Sequence, residues 1–204
     1  MRRNKLIALC SATCLVFVLA IPERLTNAAA TNKDGEQFSA LAYLPSGAGM
    51  RGVGAGATAN VNIYINSYTP DAEAKVFAAT LLEKGPDDLL KKLEDAKAIG
   101  KVSLSGRVGF FDLKLIRSRP MQDGRRIVGV CDRPIGFLEA YVSGRSVDNK
   151  FGILILDLKT NDKGREEGVG QLIYAAKVKV LEGNKVEVEN YGIDPVKMLG
   201  VRKF

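Results

Sequence analysis

The chain contains no histidine. That removes the commonest general base, the commonest metal ligand and the usual partner of a nucleophilic serine or cysteine. A Ser-His-Asp triad, a Cys-His pair and a His-based zinc site are all excluded within the chain. Cysteine is scarce as well, with 3 in 204 residues. Cys10 and Cys14 lie in an N-terminal segment that reads as removable, which leaves Cys131 alone. A single cysteine forms no intramolecular disulfide, so the fold must hold by its core. A basic stripe is missing too. The formal charge is +7, but Lys and Arg are interleaved with Asp and Glu. Nucleic acid binding calls for a clustered patch, so no nucleic-acid partner is expected, and the charge reads as surface solubility.

What the chain does have is an export signal at its start. Arg2, Arg3 and Lys5 make a positive end, and Leu6 to Ile21 is apolar apart from Ser11 and Thr13. Pro22 to Asn27 is polar, and Ala28-Ala29-Ala30 offers the small residues of a cleavage site. Together these predict a cleaved signal peptide over residues 1–30 and an exported protein, periplasmic or extracellular. The apolar run is shorter than the ~20 residues a spanning helix needs, which sets the membrane-anchor alternative second. A lipid anchor is disfavoured, because Leu9 and Thr13 precede the two cysteines where Gly or Ala is preferred. Cleavage takes four basic residues and one acid, lowering the formal charge from +7 to +4. No integral membrane segment is expected after it. Residues 31–204 then form one mainly-β globular domain, of a size at which about 70% of the unfolded surface can be buried.

Along that domain, Thr31 to Glu36 is polar and reads as a frayed start. Gln37 to Leu44 is a candidate strand, and Pro45 to Ala57 a Gly- and Ala-rich loop. Ala59 to Tyr68 alternates, with Val61, Ile63 and Ile65 on one face and Asn60, Asn62, Tyr64 and Asn66 on the other. Thr69 is placed as the cap of a helix, with Pro70 at its first position and Asp71 and Glu73 at its positive end. Val76, Phe77, Thr80 and Leu81 are its expected inner face, and Gly85 its end. A second helix starts at Pro86, buries Leu89, Leu90, Leu93 and Ala96, and closes at Gly100. Its Lys91, Lys92 and Lys97 read as a solvent face rather than a membrane-docking one. Further strands are predicted over Lys101–Leu104, Phe110–Arg119 (Phe111, Leu113 and Leu115 on one side), Arg125–Asp132 and Ile135–Val142. Phe151–Lys159 is nearly all apolar and reads as central. Gln171–Leu181 and Lys185–Tyr191 form a terminal hairpin with Val186 and Val188 toward the core. The expected fold class is α+β, mainly antiparallel β. It is a curled sheet or barrel-like domain, with a two-helix segment near the N-terminal strands covering one face or end.

Four groups of residues offer candidate chemistry. Gly47-Ala48-Gly49-Met50-Arg51-Gly52 matches G-x-G-x-x-G, but the loop runs into a strand and not a helix, so no dinucleotide site is expected. Asp157, Asn161, Asp162, Glu166 and Glu167 gather oxygen ligands around a turn. Lys159 and Lys163 stand where calcium ligands should be, and an exposed hairpin turn is the better reading. Cys131 lacks a histidine partner and reads as a buried, inert thiol, although Arg126 or Arg133 could supply a cation. Asp112, Asp132, Glu139 and Asp157 are the carboxylates that a glycosidase-like pair could draw on, but nothing in their spacing brings them together. Asp132-Arg133-Pro134 reads as a turn with a local ion pair. No catalytic residue, metal ligand or cofactor is therefore assigned, and the binding residues and partner are left open.

Several stretches do resemble something known. Gly124-Arg125-Arg126-Ile127-Val128, Asp132-Arg133-Pro134-Ile135 with Phe137, Glu189-Asn190-Tyr191 and Pro195-Val196 resemble a group of small exported bacterial proteins of unassigned function. Thr69, Asp71, Ala72 and Glu73 fit the same pattern, and the likeness runs from Phe38 to Val201. The resemblance implies export and a bacterial setting and carries over no catalytic residue, cofactor or ligand. The leading expectation is an exported, non-catalytic binding or interaction domain. A carrier of a small apolar ligand in a curled sheet comes second, and a hydrolase working with carboxylates alone third.

Overall fold

The computed structural model describes residues 16–17, 35–43, 58–105, 109–135, 148–190 and 195–204. Apolar residues at every second position make each strand one-sided, and a one-sided strand must bury its apolar face. Here the strands do so by curling. The elements run β1 (Val16–Phe17), β2 (Glu36–Tyr43), β3 (Thr58–Ile65), α1 (Asp71–Lys84), α2 (Pro86–Asp95), β4 (Gly100–Leu104), β5 (Phe111–Leu113), β6 (Leu115–Met121), β7 (Gly124–Cys131), β8 (Phe151–Thr160), β9 (Glu166–Leu181), β10 (Lys185–Asn190) and β11 (Val196–Lys203). All pair antiparallel, in the order β5-β4-β3-β2-β11-β9-β8-β7-β6. The first and last members of that order are consecutive in the chain. Leu113 pairs with Gly100 of β4, the Lys114 N–H donates to Val130 of β7 at 2.9 Å, and Leu115 pairs with Val130. The segment around Lys114 thus draws both edges together into a nearly closed, barrel-like sheet. Beyond it β6 pairs with β7 alone, and Pro120, which has no N–H to donate, sits on that one-sided stretch opposite Arg125. The C-terminal half of β9 leaves the barrel to pair with β10, and β10 in turn with β1.

Two cores result. Phe38, Ala40, Val61, Ile63, Val102, Leu113, Ile116, Ile127, Leu154, Leu156, Leu158, Leu172 and Met198 fill the barrel. Phe77 and Leu81 of α1 and Leu89 and Leu93 of α2 pack on Phe151, Ile153, Ile155, Ile173, Val178 and Val186 outside it. The helices therefore clothe one flank, where β7, β8, β9 and β10 present apolar outer faces. This explains why β8 is apolar from Phe151 to Leu156: that stretch is buried on both sides. The barrel interior is closely packed where glycines face it. A methyl group added at Gly100, Gly152 or Gly170 would stand 2.7 Å from Ile116 Cδ1, 2.5 Å from Ile135 Cγ1 and 2.7 Å from Met198 Cε respectively.

The curled antiparallel sheet with its helical cover agrees with the sequence expectation, and several local details differ. Thr69 does not cap α1. Its hydroxyl accepts from the Ile116 N–H at 2.9 Å, and its own N–H donates to the Ile116 carbonyl at 2.9 Å, so strand pairing claims it. Pro70 precedes the helix instead, and Asp71 and Glu73 do occupy the first turn. Val76 is 46% exposed and not on the inner face. The second helix ends at Asp95, and Gly100 opens β4. The expected single strand over Phe110–Arg119 is broken at Lys114. The break puts Leu113 and Ile116 inside the barrel and Leu115 outside, against the helices. Glu36 is no frayed residue but the buried start of β2. The loop at 45–57 and most of the strand expected over Ile135–Val142 lie outside the described residues. So does the signal segment, apart from residues 16–17. No helix among the described residues is long and apolar enough to cross a membrane.

Candidate functional site

Among the described residues, two places collect polar side chains: one inside an end of the barrel, the other on the flank that α1 and α2 leave uncovered. At the barrel end, the alternation that buries Phe38 also turns Glu36 inward, at 4% exposure. Arg125 at the start of β7, Glu166 at the start of β9 and Lys203 at the end of β11 face it, and Tyr68 reaches in from the chain after β3. Arg125 donates to Glu36 at 3.0 Å, to Glu166 at 2.7 and 2.6 Å and to the Tyr68 hydroxyl at 2.9 Å. Lys203 donates to Glu36 at 2.8 Å and lies 3.3 Å from Glu166. The Tyr68 hydroxyl donates to Glu36 in a short hydrogen bond.

The cluster holds two carboxylates and two cations, so it is balanced. Burial alone would raise the pKa of Glu36, but hydrogen bonds from Arg125, Lys203 and Tyr68 outweigh it and hold the carboxyl below its ordinary value. Glu166 is held low in the same way, burial being outweighed by Arg125 and Lys203. Burial, then the bond to Glu36, pushes the Tyr68 phenol well above its ordinary value. Every group is thereby fixed in its resting protonation state. Such a network closes and rigidifies the end of a barrel, whereas a general acid or base needs a pKa near the working pH.

The flank that α1 and α2 leave uncovered is the outer face of β3, β2 and β11. A depression of about 550 Å³ there is lined by Ser39, Leu41, Asn60, Asn62, Ser105, Leu199, Gly200 and Arg202, among others. Pairing sets these residues in two rows across the strands. Asn62, Ser39 and Arg202 form a polar row, and Asn60, Leu41 and Leu199 the next. A bulge between Leu199 and Arg202 shifts the register of β11. Gly200 takes φ +57° within it, with nothing within 4 Å of where a Cβ would stand, so bare backbone floors the depression.

The residues singled out from the sequence lie elsewhere. Asp157 faces outward and takes Arg126 at 2.5 and 2.8 Å. Asp132 lies 3.6 Å from Lys114, not in the expected local pair with Arg133. Asp112 and Asp132 both come near enough to Cys131 for their charges to act on it. Glu139 and the Gly47–Gly52 run lie outside the described residues. Burial, reinforced by Asp132, pushes the Cys131 thiol far above its ordinary pKa, and Arg133 offsets only part of that. The thiolate is thus suppressed. The carboxylates around 157–167 do not converge. Asn161 accepts from the N–H groups of Lys163 and Arg165 at 3.0 Å each, as a turn residue does, while Glu166 points into the barrel. No group of three or more acidic or cysteine side chains fit to hold a metal occurs among the described residues. The barrel-end cluster was missed because Glu36, Tyr68, Arg125, Glu166 and Lys203 are scattered along the chain. The outward asparagines of β3 were legible from alternation alone.

No known protein family matches the chain, and no curated protein or solved structure does so either.

Proposed function

We propose that the chain is an exported bacterial protein whose mature domain binds a ligand or partner without transforming it, through the uncovered flank formed by β3, β2 and β11. The observation that carries this reading is the contrast between the two flanks. One is sealed by α1 and α2. The other offers an open depression with a backbone floor and polar walls. The filled barrel favours a surface site over a carried apolar ligand. The fixed protonation of the barrel-end cluster and the suppressed Cys131 thiol favour binding over catalysis. Export is supported by the charged, apolar and Ala-rich succession of residues 1–30.

The test uses protein recovered from its own host. N-terminal sequencing of that material should begin at or near Thr31. Incubation with the host's soluble envelope fraction, followed by size-exclusion and mass spectrometry, should return a component that travels with the protein chemically unchanged. A component that is consumed over many turnovers would overturn the reading, as would a mature protein that retains residues 1–30 and stays in the cytoplasm.

A further inference from the structure

We propose, resting on the binding reading above, that the depression between β3, β2 and β11 takes an acidic oligosaccharide, a chain of sugar rings bearing carboxylates. The argument begins with the rows. A pyranose ring has hydroxyls at its rim and C–H groups on its faces, so it asks for polar and apolar contacts side by side. Asn62 and Ser39 lie in one row and Leu41 and Leu199 in the next. The two leucines are 40% and 44% exposed, large apolar groups left open on a polar face.

The polar groups suit vicinal hydroxyls. An asparagine amide offers a donor and an acceptor together, and a serine hydroxyl does both jobs from one atom. Little of that capacity is used among the described residues. Among the described contacts of these side chains, Asn62 donates to Ser105 Oγ at a long 3.3 Å. Rows run across strands that lie about 4.8 Å apart, so an extended chain laid across β3, β2 and β11 meets a new side chain at each strand. The open floor at Gly200 lets such a chain approach the backbone.

Arg202 supplies the charge. It ends the polar row, is exposed, and makes no ion pair within 4 Å among the described residues, although Glu167 stands opposite it on β9. A guanidinium beside amides and hydroxyls presents a planar fork to a carboxylate. Other ligand classes fit less well. Nucleic acid would stack its bases on aromatic rings, and the described lining holds none. An extended peptide adds to a strand edge, and these three strands are paired on both sides. A purely apolar ligand would strip water from Asn60, Asn62, Ser39 and Arg202 without replacing it.

Calorimetry with a short oligogalacturonate tests this, using protein recovered from its host. Neutral cello-oligosaccharide of equal length and polyglutamate serve as comparisons. Binding of the oligogalacturonate should weaken about tenfold in Arg202→Gln, the loss expected of one charged hydrogen bond. It should weaken also in Asn62→Ala, with the melting temperature unchanged in both. The neutral sugar should bind about tenfold less tightly, and polyglutamate weakly or not at all. Equal binding of the neutral sugar, or indifference to Arg202→Gln, would overturn the acidic preference while leaving the binding reading standing. Equal binding of polyglutamate would overturn the sugar assignment. If neither sugar binds but an envelope component still protects this face, the inference fails alone. If nothing protects the face, the binding reading fails with it.

Discussion

Replacing Glu36 by Gln keeps the shape of the side chain and removes its charge from the end of the barrel. In the native protein the Glu36 carboxylate accepts from Arg125, Lys203 and Tyr68. The amide oxygen can still accept from Arg125 and Lys203, which both meet Oε1, but the amide nitrogen then faces the Tyr68 hydroxyl as a second donor, and the negative charge beside the two cations is gone. Glu166 is then left as the sole carboxylate opposite Arg125 and Lys203. Breaking a buried pair on one side costs about 3–5 kcal/mol, because the abandoned charge stays buried. In a domain of this size each kcal/mol moves the melting temperature by about 2–4 °C, so Glu36→Gln should melt roughly 6–20 °C lower. Asp157→Asn serves as the comparison. It breaks a pair with Arg126 in which both partners are about a third exposed, and such pairs are worth less than about 1 kcal/mol. The pH dependence has a definite sign. Glu36 and Glu166 are held below their ordinary pKa of 4.5 in the folded state. Their stabilisation is fully present above the unfolded carboxylate range and is lost as pH falls through the lowered folded values. The gap between native protein and Glu36→Gln, measured by calorimetry, should therefore hold near neutrality and shrink only in acid. A variant that melts with the native protein at pH 7, or a gap that closes between pH 6 and 8, would refute the reasoning.

Leu93→Ala should destabilise by about 2–5 kcal/mol in denaturant titration, since Leu93 is fully buried between α2 and the sheet; a cost below ~1 kcal/mol would mean the helices do not seal that flank. Gly168→Ala should cost at least as much as the ~1–3 kcal/mol of ordinary overpacking, because its Cβ would stand 1.9 Å from the backbone carbonyl oxygen of Asp157 and no rotamer relieves that. Its readout is the urea midpoint, and an unchanged midpoint would contradict the close approach of β8 and β9. Cys131 should resist a thiol reagent in the native state and react on unfolding; rapid native labelling would show that the thiol is neither buried nor suppressed.

Much of the fold was legible because strand alternation is a local signal. The last hairpin, the apolar run of β8 and the outward asparagines of β3 all follow from period two. Strand β11 did not show itself. Val196 and Met198 face inward, but the bulge at Leu199–Gly200 breaks the alternation before Val201 and Lys203 turn inward again. One inserted residue thus hid the strand that joins β9 to β2. Thr69 and Leu115 were misplaced for a related reason: strand pairing overrode a helix cap in one case, and a kink at Lys114 changed the face of the chain in the other. The barrel-end cluster was the least legible feature. A charged residue at the end of a strand reads as solvated, and only closure of the sheet brings four such ends, together with Tyr68, to one place. The depression depends on long-range pairing as well, because its rows join β2 and β3 to the distant β11.

Hydrogen–deuterium exchange of the host-derived protein, with and without the host's soluble envelope fraction, tests the central claim most directly. The account expects new protection in β2, β3 and β11, around Ser39–Leu41, Asn60–Asn62 and Leu199–Arg202, with α1 and α2 unchanged. Protection confined to the helices or to β6 and β7, or absent everywhere, would contradict it.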